Sequence, residues 1–347
     1  MFGHSTSRRL LGAGAIAASV ALVAVGCSSD DGGTGEEGGA GGDEAASITF
    51  LPKNLGNPYF ETSRVGGETA VEEFGGSFDE VGPAEANPTS QVSYIQTAAQ
   101  QQVDALVVSA NDPSAICDAL EEASSVGTKI VTFDSDTDPE CRDLFINQSS
   151  AELIAQAQVD LIAEQIGGEG EIAFLSAAAN ATNQNAWIEM MNAELDANHP
   201  DIEVVDTVYG DDDDQKSFDQ TAALLQTHPD LAGIVSPTTV GIAAAARYLS
   251  TSEYQGEVAL TGLGTPNQMR EYVTDGTVTA FALWNPEELG YLAAYAANAL
   301  VTGETDGSEG STFEAGDLGE YTVGADGEVV LGEPFVFDAD NIEDFDF

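Results

Sequence analysis

The chain has 347 residues, of which 42% are hydrophobic, and it carries 60 acidic residues against 9 lysines and arginines, for a formal net charge of -51. This length is enough for two domains with separate cores. The sequence contains no basic patch, which excludes nucleic acid as a partner because phosphate binding needs clustered positive charge. A chain this acidic repels itself at moderate salt, whereas at molar salt the Debye length falls to about 3 Å. We therefore interpret the charge as an adaptation to a salty medium.

The N-terminus predicts export. Arg8 and Arg9 precede an apolar run, residues 10–25. The run is short for a transmembrane helix and has the flanks of a signal peptide. We therefore predict a signal peptide over residues 1–26, with the mature chain outside the membrane.

The end of this run predicts a lipid anchor. Gly26 followed by Cys27 resembles a bacterial-type lipobox, with Cys27 as the lipidated first residue of the mature protein. A plain secretory signal or an uncleaved anchor is the alternative. Residues 27–46 are Gly, Glu, Asp and Ser with almost nothing apolar, so we predict a flexible acidic tether between lipid and domain.

From residue 48 onward, predicted strands and helices alternate with connections of a few residues. This alternation requires parallel sheets with right-handed crossovers. In such sheets, ligands bind beyond the carboxyl ends of the strands. The predicted strands are 48–51, 77–81, 103–109, 129–133, 144–146, 171–175, 203–209, 231–235, 258–261 and 278–283, and the predicted helices are 59–74, 89–101, 113–125, 151–166, 184–197, 217–226, 241–250, 266–273 and 286–301.

The number of strands predicts two lobes. About ten strands are too many for one compact sheet with a single core. We therefore predict an α/β protein with two doubly wound parallel-sheet lobes joined by a hinge, divided near Asn147. The predicted bounds are 47–146 with 277–304 for the N-terminal lobe and 147–276 with 305–347 for the C-terminal lobe, with a terminal hairpin of 321–323 and 329–336 that closes one lobe.

Polar and aromatic residues follow the ends of the predicted strands. Lys53, just past the first strand, is one of only three lysines, with Lys129 and Lys216. In a chain that has almost abandoned lysine, this position favours a ligand contact; a lysine lying over the sheet edge is the alternative. Carboxylates and amides beside aromatic rings suit a small polyhydroxylated ligand. The candidate ligand-binding residues are Lys53, Asn57, Tyr59, Phe60, Asn111, Asp134, Asp136, Asn183, Gln184, Pro237, Thr238, Thr239, Trp284 and Asn285.

Two of these candidates have ordinary structural explanations. Asp134 follows Phe133 in a Phe-Asp-Ser-Asp segment, where a helix cap or a turn acid is the alternative. Trp284 fits core packing as well as a ligand contact. The joint pattern at one sheet edge is what favours a binding site.

Metal and catalytic chemistry lack support in the sequence. His199 and His228 each lie in a His-Pro-Asp turn, and the four adjacent acids 211–214 lack the alternate spacing and central glycine of a calcium loop. No Gly-x-Ser-x-Gly elbow, Walker loop or Rossmann fingerprint follows any predicted strand. Asp134 and Asp136 are two residues apart on one strand end, which does not suit a hydrolytic pair. We expect no catalytic residue, no metal and no cofactor.

Cys117 and Cys141 remain once Cys27 is assigned to the lipid. In an oxidising compartment such a pair indicates a disulfide. Both lie at the carboxyl edge of neighbouring predicted strands, so a bond between them is sterically plausible. Closing a loop of about 25 residues stabilises a chain by roughly 3 kcal/mol in the chain-entropy model. Two free buried thiols are the alternative.

From residue 48 to residue 347 the chain resembles type I periplasmic sugar-binding proteins, the ribose-binding class of ABC-transporter receptors. Residues 57–60, Asn-Pro-Tyr-Phe, resemble the opening motif of that class, and Asp134 matches its sugar-binding aspartate. The resemblance implies a periplasmic binding protein type I fold that is not an enzyme. It also implies that a small sugar binds in the interlobe cleft and is delivered to an ABC permease. We expect a monomer in the periplasm or on the cell surface, held to the membrane only by the lipid on Cys27.

Two subfamilies fit more closely than the class as a whole. The rhamnose-type receptor is suggested by residues 109–113, 182–185, 208–212, 237–241 and 284–286. The autoinducer-2 receptor is suggested by residues 51–53, 133–136, 139–142, 147–148 and 344–347.

The ligand positions separate these two subfamilies. The autoinducer-2 receptor uses a lysine, an aspartate, an Asp-Gln pair, a proline and an alanine. The matching positions here are Lys53, Asp134, Gln184 and Pro237. Asn183 replaces the paired aspartate and Thr239 replaces the alanine, and both departures lie in the rhamnose-like segments. We therefore expect a rhamnose-like or related sugar, with autoinducer-2 as the alternative.

Two other protein classes deserve comparison. A sugar-responsive transcription regulator shares this fold, but it would need a basic helix-turn-helix in place of the signal and tether. An extracellular hydrolase would need an acid and a base at suitable spacing. The receptor interpretation needs neither.

The acidic composition predicts that the folded protein needs salt. Transfer to low salt should lower the melting temperature by many degrees, because unscreened acidic side chains repel one another in the compact state. Thermal unfolding across a sodium chloride series measures this. A melting temperature that stays constant between about 0.1 M and about 3 M would contradict the prediction.

Overall fold

The computed structural model describes residues 46–347. The predicted signal peptide, the tether up to residue 45 and the lipidated Cys27 lie outside the described residues. The strands are β1 Ser47–Leu51, β2 Ser77–Glu80, β3 Ala105–Val108, β4 Lys129–Phe133, β5 Leu144–Asn147, β6 Gly170–Ser176, β7 Ile202–Tyr209, β8 Gly233–Ser236, β9 Ala259–Gly262, β10 Ala280–Leu283, β11 Thr312–Glu314, β12 Glu320–Thr322, β13 Glu328–Val330 and β14 Phe335–Asp338. The helices are α1 Pro58–Phe74, α2 Pro88–Gln101, α3 Cys117–Ser125, α4 Ala151–Ile166, α5 Thr182–Asn198, α6 Asp214–Thr227, α7 Thr239–Leu249, α8 Pro266–Thr274 and α9 Pro286–Thr302.

The first sheet is parallel and has the strand order β13-β5-β4-β3-β1-β2. Its central strands β1, β3 and β4 are buried on both faces because helices cover both faces. Phe50 and Val107 face the core built with α1 and α9, whereas Leu51 and Leu106 face the core built with α2 and α3. The near-continuous apolar sequence of β3 is thereby explained, and the predicted α/β class is confirmed.

The second sheet is parallel with the order β7-β6-β8-β9. An antiparallel pair, β10 with β14, continues it through a parallel bridge between Leu263 and Ala282. The chain passes between the two sheets after β5, after β10 and after β13. Within residues 46–347, no helix is both long and apolar enough to span a membrane.

The pairing of two late strands corrects the sequence prediction. Residues 278–283 were expected in the N-terminal lobe, yet β10 pairs with β14 beside the second sheet. Residues 305–347 were expected in the C-terminal lobe, yet β13 adds to the first sheet beside β5. The hairpin of 321–323 with 329–336 is also wrong, because β12 pairs with β11. Local hydrophobic pattern identifies a strand but not its partner; the other lobe bounds remain predictions.

Close backbone contact locks α1 and α9 together. A Cβ atom at Gly66 would lie 1.8 Å from the Glu287 carbonyl oxygen, and one at Gly290 would lie 1.8 Å from the Ser63 carbonyl oxygen. Only glycine permits this backbone approach. The Asn57 side chain also accepts a hydrogen bond of 3.1 Å from the Tyr59 amide, which caps α1 before Pro58. The residues that open α1 are therefore held firmly at the sheet edge.

The sulfurs of Cys117 and Cys141 are bonded, and their Cα atoms lie 5.3 Å apart. The bond joins the start of α3 to the 3₁₀ turn Pro139–Cys141, which lies between β4 and β5. These are the positions to which the sequence pointed. The bond restrains the loop that follows β4.

We predict that the exported protein carries this disulfide. Peptide mapping without reductant should recover the linked Cys117 and Cys141 peptides. Cys117→Ser with Cys141→Ser should lower the free energy of unfolding by roughly 3 kcal/mol, because the unfolded chain regains the entropy of an open loop. Reductant should bring the wild-type protein to the stability of the double variant. Recovery of both thiols free from the exported protein would refute the bond.

Candidate functional site

A cavity lies where the carboxyl ends of the two sheets face each other. Both sheets supply polar and aromatic side chains to its wall. This is the position at which parallel α/β sheets bind ligands. Its lining residues are Lys53, Asn57, Tyr59, Phe60, Asp134, Asn183, Gln184, Trp187, Asp212, Pro237, Thr238, Thr239, Leu263, Leu283 and Trp284.

Lys53 and Asp134 form the polar centre of the cavity. Both residues are buried, and the Lys53 Nζ lies 3.7 Å from the Asp134 Oδ2. The Lys53 Nζ also donates a hydrogen bond of 3.1 Å to the Asn183 Oδ1, which comes from the second sheet's side of the cavity. The Ser109 hydroxyl donates to the Asp134 Oδ2 at 2.7 Å and fixes the carboxylate. The ammonium is therefore held by partners from both sheets.

The backbone of Asp134 is unusual. Its φ is 61°, in the left-handed region, directly after the last residue of β4. Aspartate tolerates this region better than most residues, but the conformation still costs of order 1 kcal/mol. The turn directs the carboxylate at Lys53. The turn and the ion pair with Lys53 therefore coexist, and the role of Asp134 as a ligand contact remains a prediction.

Aromatic rings form one wall of the cavity. The Trp284 Nε1 donates a hydrogen bond of 2.9 Å to the Tyr59 hydroxyl, and the Trp187 ring packs edge-on against Trp284 at 5.9 Å between centroids. Burial, and then the nearby charge of Asp134, raise the pKa of Tyr59 well above its usual range. Tyr59 therefore stays a neutral phenol that can donate a hydrogen bond. Trp284 is buried among these rings and lines the cavity, so its packing and site roles coincide.

Three predicted site residues do not line the cavity: Asn111, Asp136 and Asn285. The Asn111 Nδ2 donates to the Lys53 carbonyl oxygen at 2.9 Å, so Asn111 supports the loop that carries the lysine. The Asn285 Oδ1 accepts from the Glu287 amide at 3.0 Å and caps α9. Both are structural neighbours of the site. The sequence placed them at the correct sheet edge but could not give the direction of the side chain.

Asp136 is committed to a salt bridge. The Arg142 Nε and NH2 donate to its two carboxylate oxygens, each at 2.7 Å. The Thr132 hydroxyl adds a bond of 2.5 Å to the Asp136 Oδ1. The Arg142 side chain is 3% exposed and also donates to the Asp326 carbonyl oxygen at 2.6 Å. Asp136 therefore holds the loop between β4 and β5 together and is not available to a ligand.

The structure adds four cavity residues that sequence reasoning missed: Trp187, Asp212, Leu263 and Leu283. Trp187 lies one helical turn after Gln184 on α5, so helical spacing could have found it. Asp212 was hidden because it belongs to a run of acids in a chain full of acids. Leu263 directly follows β9 and Leu283 ends β10, and neither carries a distinguishing signal.

Facing parallel sheets with a polar cavity between their carboxyl ends are typical of ligand-binding receptors. Residues 48–305 match the family model described as a periplasmic binding protein domain, and the chain belongs to that family. It is an extracytoplasmic receptor and not an enzyme. The family resemblance seen in the sequence is confirmed.

Three solved structures are similar over nearly the whole described region. A sugar ABC transporter from Actinomyces odontolyticus is 54% identical, covering 88% of this chain and 99% of that one, with a TM-score of 0.72. An ABC transporter solute binding protein from Clostridium phytofermentans with bound L-rhamnose is 39% identical, covering 86% and 98%, with a TM-score of 0.84. LsrB from Clostridium saccharobutylicum in complex with AI-2 is 26% identical, covering 86% and 99%, with a TM-score of 0.82.

The salt bridge of Asp136 predicts a change in stability. Asp136→Asn should lower the free energy of unfolding by about 3 kcal/mol, because it leaves the buried Arg142 guanidinium without its carboxylate. Denaturant unfolding in high salt measures this. Glu140→Gln, an exposed acid of the same loop, is the matched control and should change stability by less than about 0.5 kcal/mol. Unchanged stability in Asp136→Asn, together with lost ligand affinity, would instead make Asp136 a ligand contact.

Proposed function

We propose that the protein is a lipid-anchored receptor that binds a small rhamnose-like sugar in the cavity and delivers it to an ABC permease. The observation that carries this proposal is the buried Lys53–Asp134 pair, completed by Asn183 from the opposite sheet. The site is charged, enclosed and lined by aromatic rings. A similar receptor that holds L-rhamnose supports the choice of ligand.

The chemistry of the cavity suits a sugar. Lys53 can donate, and Asp134 can accept, charge-assisted hydrogen bonds, which are stronger than neutral ones. The Gln184 Oε1 is buried and has no hydrogen-bond partner within the described residues, so a ligand hydroxyl is a natural donor to it. The rings of Trp187 and Trp284 offer apolar area for the C–H face of a sugar ring.

Binding by closure of the two halves fits the connections between them. Three chain segments join the sheets. Hinge closure around a ligand needs backbone rotation at only a few residues within such connecting segments. Contacts already span the cleft: Lys53 reaches Asn183, and the Asn180 Nδ2 donates to the Asp112 Oδ2 at 3.3 Å. Sugar binding would therefore add to an existing set of interactions between the halves.

Autoinducer-2 is the second candidate ligand. Lys53, Asp134, Gln184 and Pro237 all line the cavity, and each matches a position of the autoinducer-2 receptor. Asn183 is the main departure, because an amide oxygen rather than a carboxylate accepts from the lysine. The relative that binds AI-2 keeps this alternative open to test.

The remaining features of the proposal come from the sequence. The lipid on Cys27 would tether the receptor outside the membrane through the acidic segment 27–46, and the receptor would act as a monomer. Its charge of -51 favours a salty medium. The permease is the partner expected of a receptor for transport.

The cavity predicts the effect of two substitutions. Lys53→Ala and Asp134→Ala should each weaken ligand binding by about 1.5–3 kcal/mol, or roughly ten- to hundredfold. Each change removes a charged hydrogen bond and leaves its buried partner without compensation. Calorimetric titration in high salt with L-rhamnose, and separately with autoinducer-2, measures the loss and identifies the preferred ligand.

The matched control is Lys129→Ala. Lys129 begins β4, at the opposite end of that strand from Asp134, so its loss removes the same charge away from the cavity. Its affinity should stay within about twofold of the wild-type value. Wild-type affinity in Lys53→Ala would show that the site is assigned wrongly. Binding of neither compound by the wild-type protein would refute the proposed ligand class.

A further inference from the structure

The four adjacent acids of the β7–α6 loop have different environments. Asp211 and Asp214 form ion pairs with basic side chains at the surface. The Asp213 side chain accepts from a backbone amide in the first turn of α6 and caps that helix at 2.7 Å. Asp212 alone among the four lines the cavity. Residues 211–214 therefore do not form a uniform acidic surface loop, because the Asp212 side chain lines the cavity and the other three do not.

The backbone explains this separation. The φ angles of Asp211 and Asp212 are 54° and 51°, two consecutive residues in the left-handed region. Aspartate, asparagine and glycine are the residues that adopt this region most readily. The Asp211 amide donates to the Ala177 carbonyl oxygen at 2.9 Å, which anchors the reversed backbone to the end of β6. The loop thereby presents Asp212 to the first sheet.

A hydroxyl holds the Asp212 carboxylate in this position. Thr238 lies just before α7, where its side chain would ordinarily cap the helix, yet it makes no such bond. Its hydroxyl instead donates to the Asp212 Oδ1 at 2.5 Å. Loops after two different strands thus cooperate to orient one carboxylate toward the cavity.

Asp212 faces the charges of the opposite sheet. Asp212 is half-buried, and its partial removal from solvent is the largest influence and raises its pKa; the negative charges of Asp134 and Asp211 raise it further. The ammonium of Lys53 and the Thr238 hydroxyl act in the other direction, but the net change is upward. The cavity therefore contains two carboxylates, Asp134 and Asp212, and one ammonium, Lys53, which pairs with Asp134. Among the described residues, the charge of Asp212 has no cationic partner in the cavity wall.

We propose that Asp212 is a proton-binding residue of the ligand site, which takes up a proton when the two halves close, so that ligand affinity rises as pH falls. This inference rests on the proposed function. In the open cleft, the carboxyl is solvated, so its pKa is the ordinary one of an aspartate. In the closed cleft its pKa is higher, so closure is easiest below the open-state value and becomes harder as pH rises through the closed-state value. At pH values well below the open-state pKa or well above the closed-state pKa of Asp212, ligand affinity does not change with the titration of this group.

Calorimetric titration with L-rhamnose in high salt, from about pH 4 to about pH 8, tests the inference. Repeating the titration in two buffers with different ionisation enthalpies gives the number of protons taken up on binding. The wild-type affinity should rise by more than about threefold toward acid, with net proton uptake inside the window. Asp212→Asn should abolish that uptake and flatten the pH profile, because asparagine accepts the left-handed backbone and the Thr238 hydrogen bond but does not titrate.

Asp211→Asn is the matched control. It removes one charge from the neighbouring residue, which has the same backbone conformation but points away from the cavity. Its affinity should still rise toward acid with net proton uptake, but within a window whose upper end lies at slightly lower pH, because the charge of Asp211 contributes to the raised pKa of Asp212. The inference is overturned if wild-type affinity is constant across the pH range, if Asp212→Asn keeps the wild-type proton uptake, or if Asp212→Asn binds at no pH. If the wild-type protein binds neither L-rhamnose nor autoinducer-2 at any pH, the proposed function fails and this inference falls with it.

Discussion

A buried ammonium sets the main constraint on the structure. Lys53 is 4% exposed, and a buried charge without partners costs several kcal/mol. Asp134 supplies the opposite charge from the same sheet, and Asn183 supplies an oxygen from the other. The compensation is therefore complete only when loops from both sheets meet. In a fold whose two halves are joined by three chain segments, this requirement makes the contact between Lys53 and Asn183 a point where the halves must come together.

The loops that carry Lys53 and Asp134 must be rigid for these contacts to form, and several separate interactions provide that rigidity. Gly66 and Gly290 let α1 and α9 touch backbone to backbone, which fixes the helix that follows the Lys53 loop. The fork between Arg142 and Asp136, with the neighbouring disulfide, fixes the loop that follows Asp134. The strain of the left-handed Asp134 backbone is tolerable because the surrounding loop is over-determined.

The sequence predicted the order of strands and helices better than it predicted strand pairing or the residues of the cavity. The alternation of apolar strands and capped helices is local, and it predicted the order of elements from β1 to α9. Strand pairing late in the chain is not local: the three-residue strand β13 joins β5, about 180 residues earlier, and no pattern within β13 indicates that partner. In the cavity, strand-end position identified Lys53 and Asp134. It could not separate Asp136, whose oxygens are taken by Arg142, from Asp212, which the acidic background concealed.

The acidic composition also bears on the electrostatics of the cavity, because salt screens charges on the surface more strongly than charges that are enclosed. At molar salt the Debye length is about 3 Å, so charges on the surface interact weakly beyond direct contact. Few of the ions that cause this screening can enter a cavity, so the interactions between charged groups inside the cavity persist. A lysine on the surface would then add little electrostatic stabilisation. Lys53 lies 3.7 Å from Asp134 in a cavity lined by both sheets, so the attraction between these two charges is screened much less. That contrast offers a physical reason for a chain poor in lysine to retain one at this position.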